Sequence, residues 1–347
     1  MSQLILKKDD LGAFLEALAQ EYQVFAPAEV EGVVDFQPLG PESLIDRKVR
    51  PRLSVKKFFH PQQEGMFTYS LDKDDPDRNL LKETLPQGRR VVFGVSSCDA
   101  RSVVLNGLPF VNDPTNPRKD VYYQARWEQT VLIGWGCDQP CPACFCHATG
   151  GHPFGEEGLD IILTDLSDRF LVKVLTEKGA QAAKVHEMAQ AGPEEVKSGE
   201  EVAAKARESM PGGLAIGQPG GQDLMELYNL EELWEETASR CLNCGICTYT
   251  CPTCYCFDIL DETYGAEGVR FRIWDSCMFP LYTLHGTGHN PRSTKAARVR
   301  QRFMHKLKYF PDRHQGKVSC VGCGRCVIYC PVNIDIREVA SGMKAGG

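Results

Sequence analysis

Eight of the sixteen cysteines fall into two copies of one pattern. The first copy is Cys241-x2-Cys244-x2-Cys247-x3-Cys251-Pro252, and the second is Cys320-x2-Cys323-x2-Cys326-x3-Cys330-Pro331. Spacings of two residues let three thiolates wrap three corners of one cubane within a tight loop. Gly245 and Gly324 supply the permissive backbone such a turn needs. The fourth cysteine, three residues further on and followed by proline, leaves on a helix and reaches the other cluster. The pattern therefore assigns Cys241, Cys244, Cys247 and Cys330 to a first [4Fe–4S] cluster. It assigns Cys320, Cys323, Cys326 and Cys251 to a second. Zinc is the competing chemistry, but a zinc ribbon uses paired C-x2-C units and needs no third evenly spaced cysteine or trailing Cys-Pro.

Five more cysteines lie upstream: Cys98 in SSCDARS, and Cys137, Cys141, Cys144 and Cys146 in GWGCDQPCPACFCHATGG. Two short apolar runs precede them, residues 90–95 (RVVFGV) and 130–135 (TVLIGW). Both are β-rich and too short for helices, so they read as buried strands. If they lie parallel in one sheet, Cys98 and Cys137 emerge at the same C-terminal edge, where open α/β sheets place their sites. Cys144 and Cys146 would complete a set of four from the following loop, where Gly150 and Gly151 allow a sharp turn. Spacing leaves Cys141 open in place of either.

The elements that must position these groups can be read coarsely. Residues 9–22 form an amphipathic helix capped by Asp9 or Asp10, with Leu11, Phe14, Leu15 and Leu18 on one face. Residues 158–164 and 169–175 form a hairpin turning at Leu166–Ser167–Asp168, and 177–209 are helical and charged. PGGLAIGQPGG, residues 211–221, is the best linker candidate. A helix over 223–239, with Leu224, Leu227, Leu230 and Trp234 inward, then delivers the chain to Cys241. The expectation is an α+β chain with a boundary near residues 211–222. Residues 1–215 form an N-terminal mixed α/β domain carrying one cluster, and 222–347 an α-helical ferredoxin-like domain carrying two.

The insert between the two runs, 252–319, is far longer than in a small bacterial ferredoxin. It contains a helix over 296–308 with Ala296, Val299, Phe303 and Leu307 on one face. This is similar to the α-helical ferredoxin layout, in which helices rather than a β-hairpin separate the runs. The same helix carries Arg298, Arg300, Arg302, Lys306 and Lys308. These form either a solvated face or positive charge that offsets the thiolates or docks an acidic partner.

Composition bounds the rest. At 347 residues, 42% hydrophobic and 24% charged, the chain is an ordinary globular protein with room for a sizeable core. A net charge of −7 gives no global basic field for nucleic acid. There is no run of eighteen apolar residues and no apolar stretch in residues 1–10, so a cytoplasmic protein with no membrane span is expected. In a reducing cytosol, clustered cysteines bind metal more often than they form bridges.

The sequence resembles the iron–sulfur β subunit of cytoplasmic sulfhydrogenases ([NiFe] hydrogenases) and the iron–sulfur subunit of anaerobic sulfite reductase. It also resembles related subunits of heterodisulfide-reductase-linked NADH complexes. The residues that carry the resemblance are Ser97-Cys98-Asp99, Cys144-Phe145-Cys146, Thr164-Asp165-Leu166, CPTCYCFD from Cys251, Trp274-Asp275-Ser276-Cys277, Gly288-His289-Asn290 and CVGCGRC from Cys320. The resemblance implies a third [4Fe–4S] cluster on Cys98, Cys137, Cys144 and Cys146, with Cys141 outside the shared pattern. After Cys-Phe-Cys this chain has His147-Ala148-Thr149-Gly150 where relatives commonly show Ser-Met-Gly. That departure bears on hydrogen bonds to the sulfurs and hence on potential.

Cys254, Cys256 and Cys277 are left over, as a redox dithiol, a metal site or inert buried thiols. His285 and His289 read as hydrogen-bonding loop residues. Gly286-x-Gly288 follows no strand and lacks the third glycine of a dinucleotide motif, and residues 86–94 hold no Gly-rich phosphate loop. No flavin, nicotinamide or ATP site is read on this chain. The expected function is a non-catalytic electron-transfer subunit relaying electrons through three clusters. Its partners would be a flavin/NAD(P)H-handling subunit plus a catalytic subunit: a [NiFe] hydrogenase, a heterodisulfide-reductase-like protein or a sirohaem sulfite reductase. The alternatives are an iron–sulfur redox sensor, or a dithiol reductase using Cys254 and Cys256.

Overall fold

The computed structural model describes residues 2–40, 43, 50–78, 80–113, 117–211, 216 and 226–345. Its strands, in chain order, begin with β1 (Gln3–Lys7), β2 (Gln23–Val30), β3 (Val33–Pro38), β4 (Gln63–Ser70), β5 (Lys82–Glu83) and β6 (Arg90–Ser96). They continue with β7 (Thr130–Trp135), β8 (Ile161–Asp165), β9 (Arg169–Val174), β10 (Ala189–Gln190), β11 (Phe257–Tyr264) and β12 (Glu267–Trp274). One sheet has the order β10-β1-β9-β8-β7-β6-β2-β3 and the other β11-β12-β4-β5.

The centre of the larger sheet is parallel: β2 pairs with β6, β6 with β7, and β7 with β8. All six residues of β7 and the first six of β6 are buried, as expected of parallel strands covered on both faces. The helix Leu11–Glu21 covers one face, burying Leu11, Phe14, Leu15 and Leu18. The helices Ser97–Phe110 and Val121–Gln129 pack on the other. The predicted hairpin is present as antiparallel β8 and β9. A bulge at Phe93/Val95 in β6 interrupts the register with β7. It turns the end of β6 immediately before Ser97 and Cys98.

Several expectations need correction. Asp10 is helical and makes no side-chain cap, because a 3-10 turn over Lys8–Asp10 already leads into the first helix. Residues 177–209 are two helices, Glu177–Ala183 and Pro193–Glu208, separated by β10, which pairs with β1. The helix before Cys241 is shorter than expected. A 3-10 turn at Glu226–Asn229 precedes Glu231–Arg240, which buries Trp234. Leu224 and most of the 211–222 linker lie outside the described residues. Within that linker Ile216 is buried and donates its N–H to the Ala148 carbonyl.

The largest departure concerns the insert. It is not all helical, because β11 and β12 form a hairpin there. β12 pairs with β4, so one sheet takes strands from both halves of the chain. The expected helix is α-helical over Lys295–Met304 and then widens to a π-helix over His305–Tyr309. Among the described residues, no helix is long and apolar enough to cross a membrane.

Candidate metal centre

The two cysteine runs fold alike. Gly245 and Gly324 have φ of +74° and +76° and start the one-turn helices Ile246–Tyr249 and Arg325–Ile328, which carry Cys247 and Cys326. A side chain at either glycine would be strained in this left-handed backbone. Backbone N–H groups point at the sulfurs: Asn243 at Cys241 Sγ (3.4 Å), Gly322 at Cys320 Sγ (3.4 Å) and Ile334 at Cys330 Sγ (3.2 Å). Such bonds orient the sulfurs as ligands require.

Cys241, Cys244, Cys247 and Cys330 line one cavity with Met278, Val299 and Phe303, and Cys326 of the second run borders it too. The order of the two runs groups the same four, including the return of Cys330 from the second run. Cys251, Cys320 and Cys323 are buried beside Cys326, and their charges act on one another. None of the sixteen cysteines is in a disulfide. Among the described residues, no three His, Cys, Asp or Glu side chains converge as a single ion would require.

The upstream set occupies the C-terminal edge of β6 and β7. Cys98 opens the helix Ser97–Phe110, and Cys137 stands just beyond β7 with its N–H on the Pro153 carbonyl. Cys98, Cys137, Cys144 and Cys146 line a cavity of about 190 Å³. Cys141 lines it too, so the structure brings five thiols to this space where the shared pattern has four. Burial, then Cys141 and Cys146, pushes the Cys137 thiol up to about 12, and burial pushes Cys144 up to about 11. Burial outweighs the opposing charge of Arg50 and keeps these thiols protonated, so a metal entering the site must displace their protons.

The upstream loop touches the second run directly. Phe145 donates its N–H to the Gly322 carbonyl at 2.7 Å. A Cβ at Gly322 would lie 2.4 Å from the Phe145 backbone, and one at Gly324 would lie 2.4 Å from the Ala143 carbonyl oxygen. Only glycine permits this approach.

Comparison with known proteins fits this arrangement. A 4Fe–4S dicluster domain family matches residues 240–334. The chain is 30% identical over 340 residues to sulfhydrogenase 2 subunit beta of Pyrococcus furiosus, a match covering 96% of each protein. The chain belongs to the sulfhydrogenase β subunit family. No solved structure matches it.

As a member of that family the chain has an iron–sulfur dicluster domain, and its cationic side chains are arranged accordingly. Arg298, Arg302 and Lys306 are buried, so the solvated-face reading fails for these three. Lys306 Nζ lies 3.3 Å from Cys251 Sγ, 3.0 Å from Thr253 Oγ1 and 3.1 Å from the Ser319 carbonyl oxygen. Burial opposes the Lys306 charge, but Cys251, Cys254 and Cys320 more than offset it. Arg302 is held charged against burial by Cys247 and Cys326. Arg298 instead donates to the carbonyls of Met278, Arg292 and Ser293. Arg300 stacks on Tyr228, and Lys308 pairs with Asp312.

Arg50 and Lys56 were missed in the sequence. Arg50 Nη2 is 4.0 Å from Cys98 Sγ, and Cys98, Cys323, Asp99 and Cys141 outweigh the effect of burial on its charge. Lys56 is buried, with Nζ 3.8 Å over the Trp274 ring and 3.0 Å from the Cys254 carbonyl oxygen, and burial lowers it to about 8. Neither belongs to a motif. Lys306 did carry a signal, because Arg298, Arg302 and Lys306 repeat every four residues beside the apolar stripe.

The leftover cysteines pair differently from their sequence spacing. Cys254 donates its thiol to Cys251, holding Cys251 well below the usual thiol range. Cys256 pairs with Cys277, whose hydrogen bond, followed by that of Tyr282, brings Cys256 down to about 6. His285 and His289 are exposed loop residues joined through their backbones, His285 N–H to His289 carbonyl. Thr149 Oγ1 bonds the Cys146 carbonyl rather than a sulfur.

Proposed function

We propose that this chain is the electron-carrying subunit of a multi-subunit redox enzyme and holds three [4Fe–4S] clusters. One is held by Cys241, Cys244, Cys247 and Cys330, and a second by Cys320, Cys323, Cys326 and Cys251. The third is held by Cys98, Cys137, Cys144 and Cys146. When bound, each cubane takes up and releases single electrons. The chain's own residues set the spacing, burial and charge around the thiolates.

The observation that carries this reading is the continuity of the three cysteine sets. The second run shares its fourth position with the first, through Cys330 and Cys251. It also packs backbone to backbone against the loop of Cys144 and Cys146. Cys323 and Cys98 are close enough to influence one another's charge. At the outer end Cys244 is exposed, and Leu242 and Ile328, beside the cysteines of the two runs, are 64% and 54% exposed. Exposed apolar residues beside a thiolate set suit contact with another subunit.

The partners we propose are a flavin/NAD(P)H-handling subunit plus a catalytic subunit. The name of the Pyrococcus relative favours a hydrogenase over a heterodisulfide-reductase-like or sulfite-reducing one. Anaerobic affinity purification from the native cell tests this. A flavoprotein and a [NiFe] subunit should be retained together. Recovery of the chain alone, with its iron intact, would contradict the subunit reading.

A further inference from the structure

Two thiols outside the three cysteine sets meet at the open end of the β11–β12 hairpin. The register places Phe257 opposite Trp274, and the Asp275 N–H donates to the Cys256 carbonyl at 3.0 Å. Cys256, just before β11, and Cys277, just after β12, therefore reach the same point. The Cys277 thiol and N–H and the Tyr282 hydroxyl lie close enough to the Cys256 sulfur to hold its thiol below the usual range. Cys277 is buried and Cys256 half-buried, in the apolar cluster that also contains Cys241, Cys247 and Cys320.

We propose that Cys256 and Cys277 are a redox-active dithiol that closes to a disulfide beside the clusters. Closure forms one S–S bond and releases two thiol protons and two electrons. The electrons pass singly to the iron–sulfur clusters, a step that rests on the proposed function. Reopening takes two electrons and two protons back. Cubanes move one electron at a time, whereas a dithiol couple moves two. A pair in this place would let a one-electron relay store or deliver electrons in twos. The three donors gathered on Cys256 favour its thiolate, the form that attacks in disulfide chemistry. Cys277, the more buried of the two, is the resolving thiol. An inert pair in an apolar core has no need of donors converging on one sulfur.

The test uses the full chain purified anaerobically with its clusters. One portion is reduced with dithionite and another oxidised with thionine. Both are denatured, alkylated with iodoacetamide and analysed by peptide mass spectrometry, with iron measured on the same samples. The oxidised sample should carry a Cys256–Cys277 bond that is absent after reduction. Full iron with both thiols alkylated in both samples would overturn the dithiol, as would a Cys254–Cys256 bond. Little iron with a bond that still opens and closes would uphold the dithiol and sink the relay reading. Cys277→Ser should remove the bond and keep the iron, whereas iron loss would make Cys277 a ligand and overturn the proposal.

Discussion

Arg325 grips Asp99 with two hydrogen bonds, Nη1 to Oδ1 at 2.5 Å and Nη2 to Oδ2 at 2.7 Å, and both side chains are fully buried. Arg325 lies between Cys323 and Cys326, and Asp99 follows Cys98. The pair therefore fixes the second ferredoxin run against the upstream cysteine helix. Arg325 Nε and Nη2 also donate to the carbonyls of Arg52 and Pro51. A buried pair is costly to break from one side, because the surviving charge has no water. Asp99→Asn should cost about 3–5 kcal/mol in urea denaturation. An unchanged midpoint would show that the pair does not hold the two regions together.

Lys306 places a positive charge 3.3 Å from Cys251 Sγ. A nearby cation favours the reduced, more negative form of a cluster. Lys306→Met keeps the length of the side chain and removes the charge. The potential of the Cys251-containing centre should fall by on the order of 60 mV, a tenfold change for a one-electron couple. Redox titration followed by EPR measures it, and a rise in potential would reverse the assigned role of Lys306.

His60 supplies a pH dependence. It is fully buried among Phe110, Phe257 and Trp274, and both ring nitrogens lack a partner among the described residues. Burial, then the charges of Arg272, Lys56 and Arg126, lowers it from 6.5 to about 2. The unfolded chain therefore takes up a proton below about pH 6.5 that the folded chain refuses. The contribution of His60 is complete above that pH and is lost as pH falls, by about 1.4 kcal/mol at about pH 5.5. His60→Phe should show a shallower loss of stability over this range. Identical slopes for the two proteins would mean that His60 is protonated in the fold.

The legible part of this molecule was the part encoded locally. The triplet spacing, the trailing Cys-Pro and the glycines at 245 and 324 declared two cluster loops, because a cubane is wrapped by neighbours in sequence. The apolar runs ending at Val95 and Trp135 declared buried strands, and Cys98 and Cys137 meet because the structure pairs those strands in parallel. What could not be read was pairing over long separations. The β11–β12 hairpin alternates poorly, with β11 exposed along nearly its whole length, and its partner β4 lies two hundred residues away. The partners of Arg325, Lys56 and Cys256 are likewise set by tertiary packing. The basic helix misled in part because Arg298, Arg302 and Lys306 look solvated until the thiols and carbonyls they face are in place.

Cys141 shares the upstream cavity with four other thiols, so proximity does not single out its role. The proposed ligand set leaves it out. Cys141→Ser should retain all the iron of the parent protein, while Cys137→Ser should lose about a third of it, the share of one cubane in three. Equal losses in the two variants would make Cys141 a ligand.

The measurement that bears most directly on the whole account is the iron and acid-labile sulfide content of anaerobically purified protein, with EPR of the reduced state. Three clusters require about twelve irons and about twelve sulfides per chain, falling to about eight of each in Cys98→Ser. A wild-type content of about eight, unchanged by Cys98→Ser, would contradict the three-cluster relay, and stoichiometric zinc in place of iron would contradict the centre altogether.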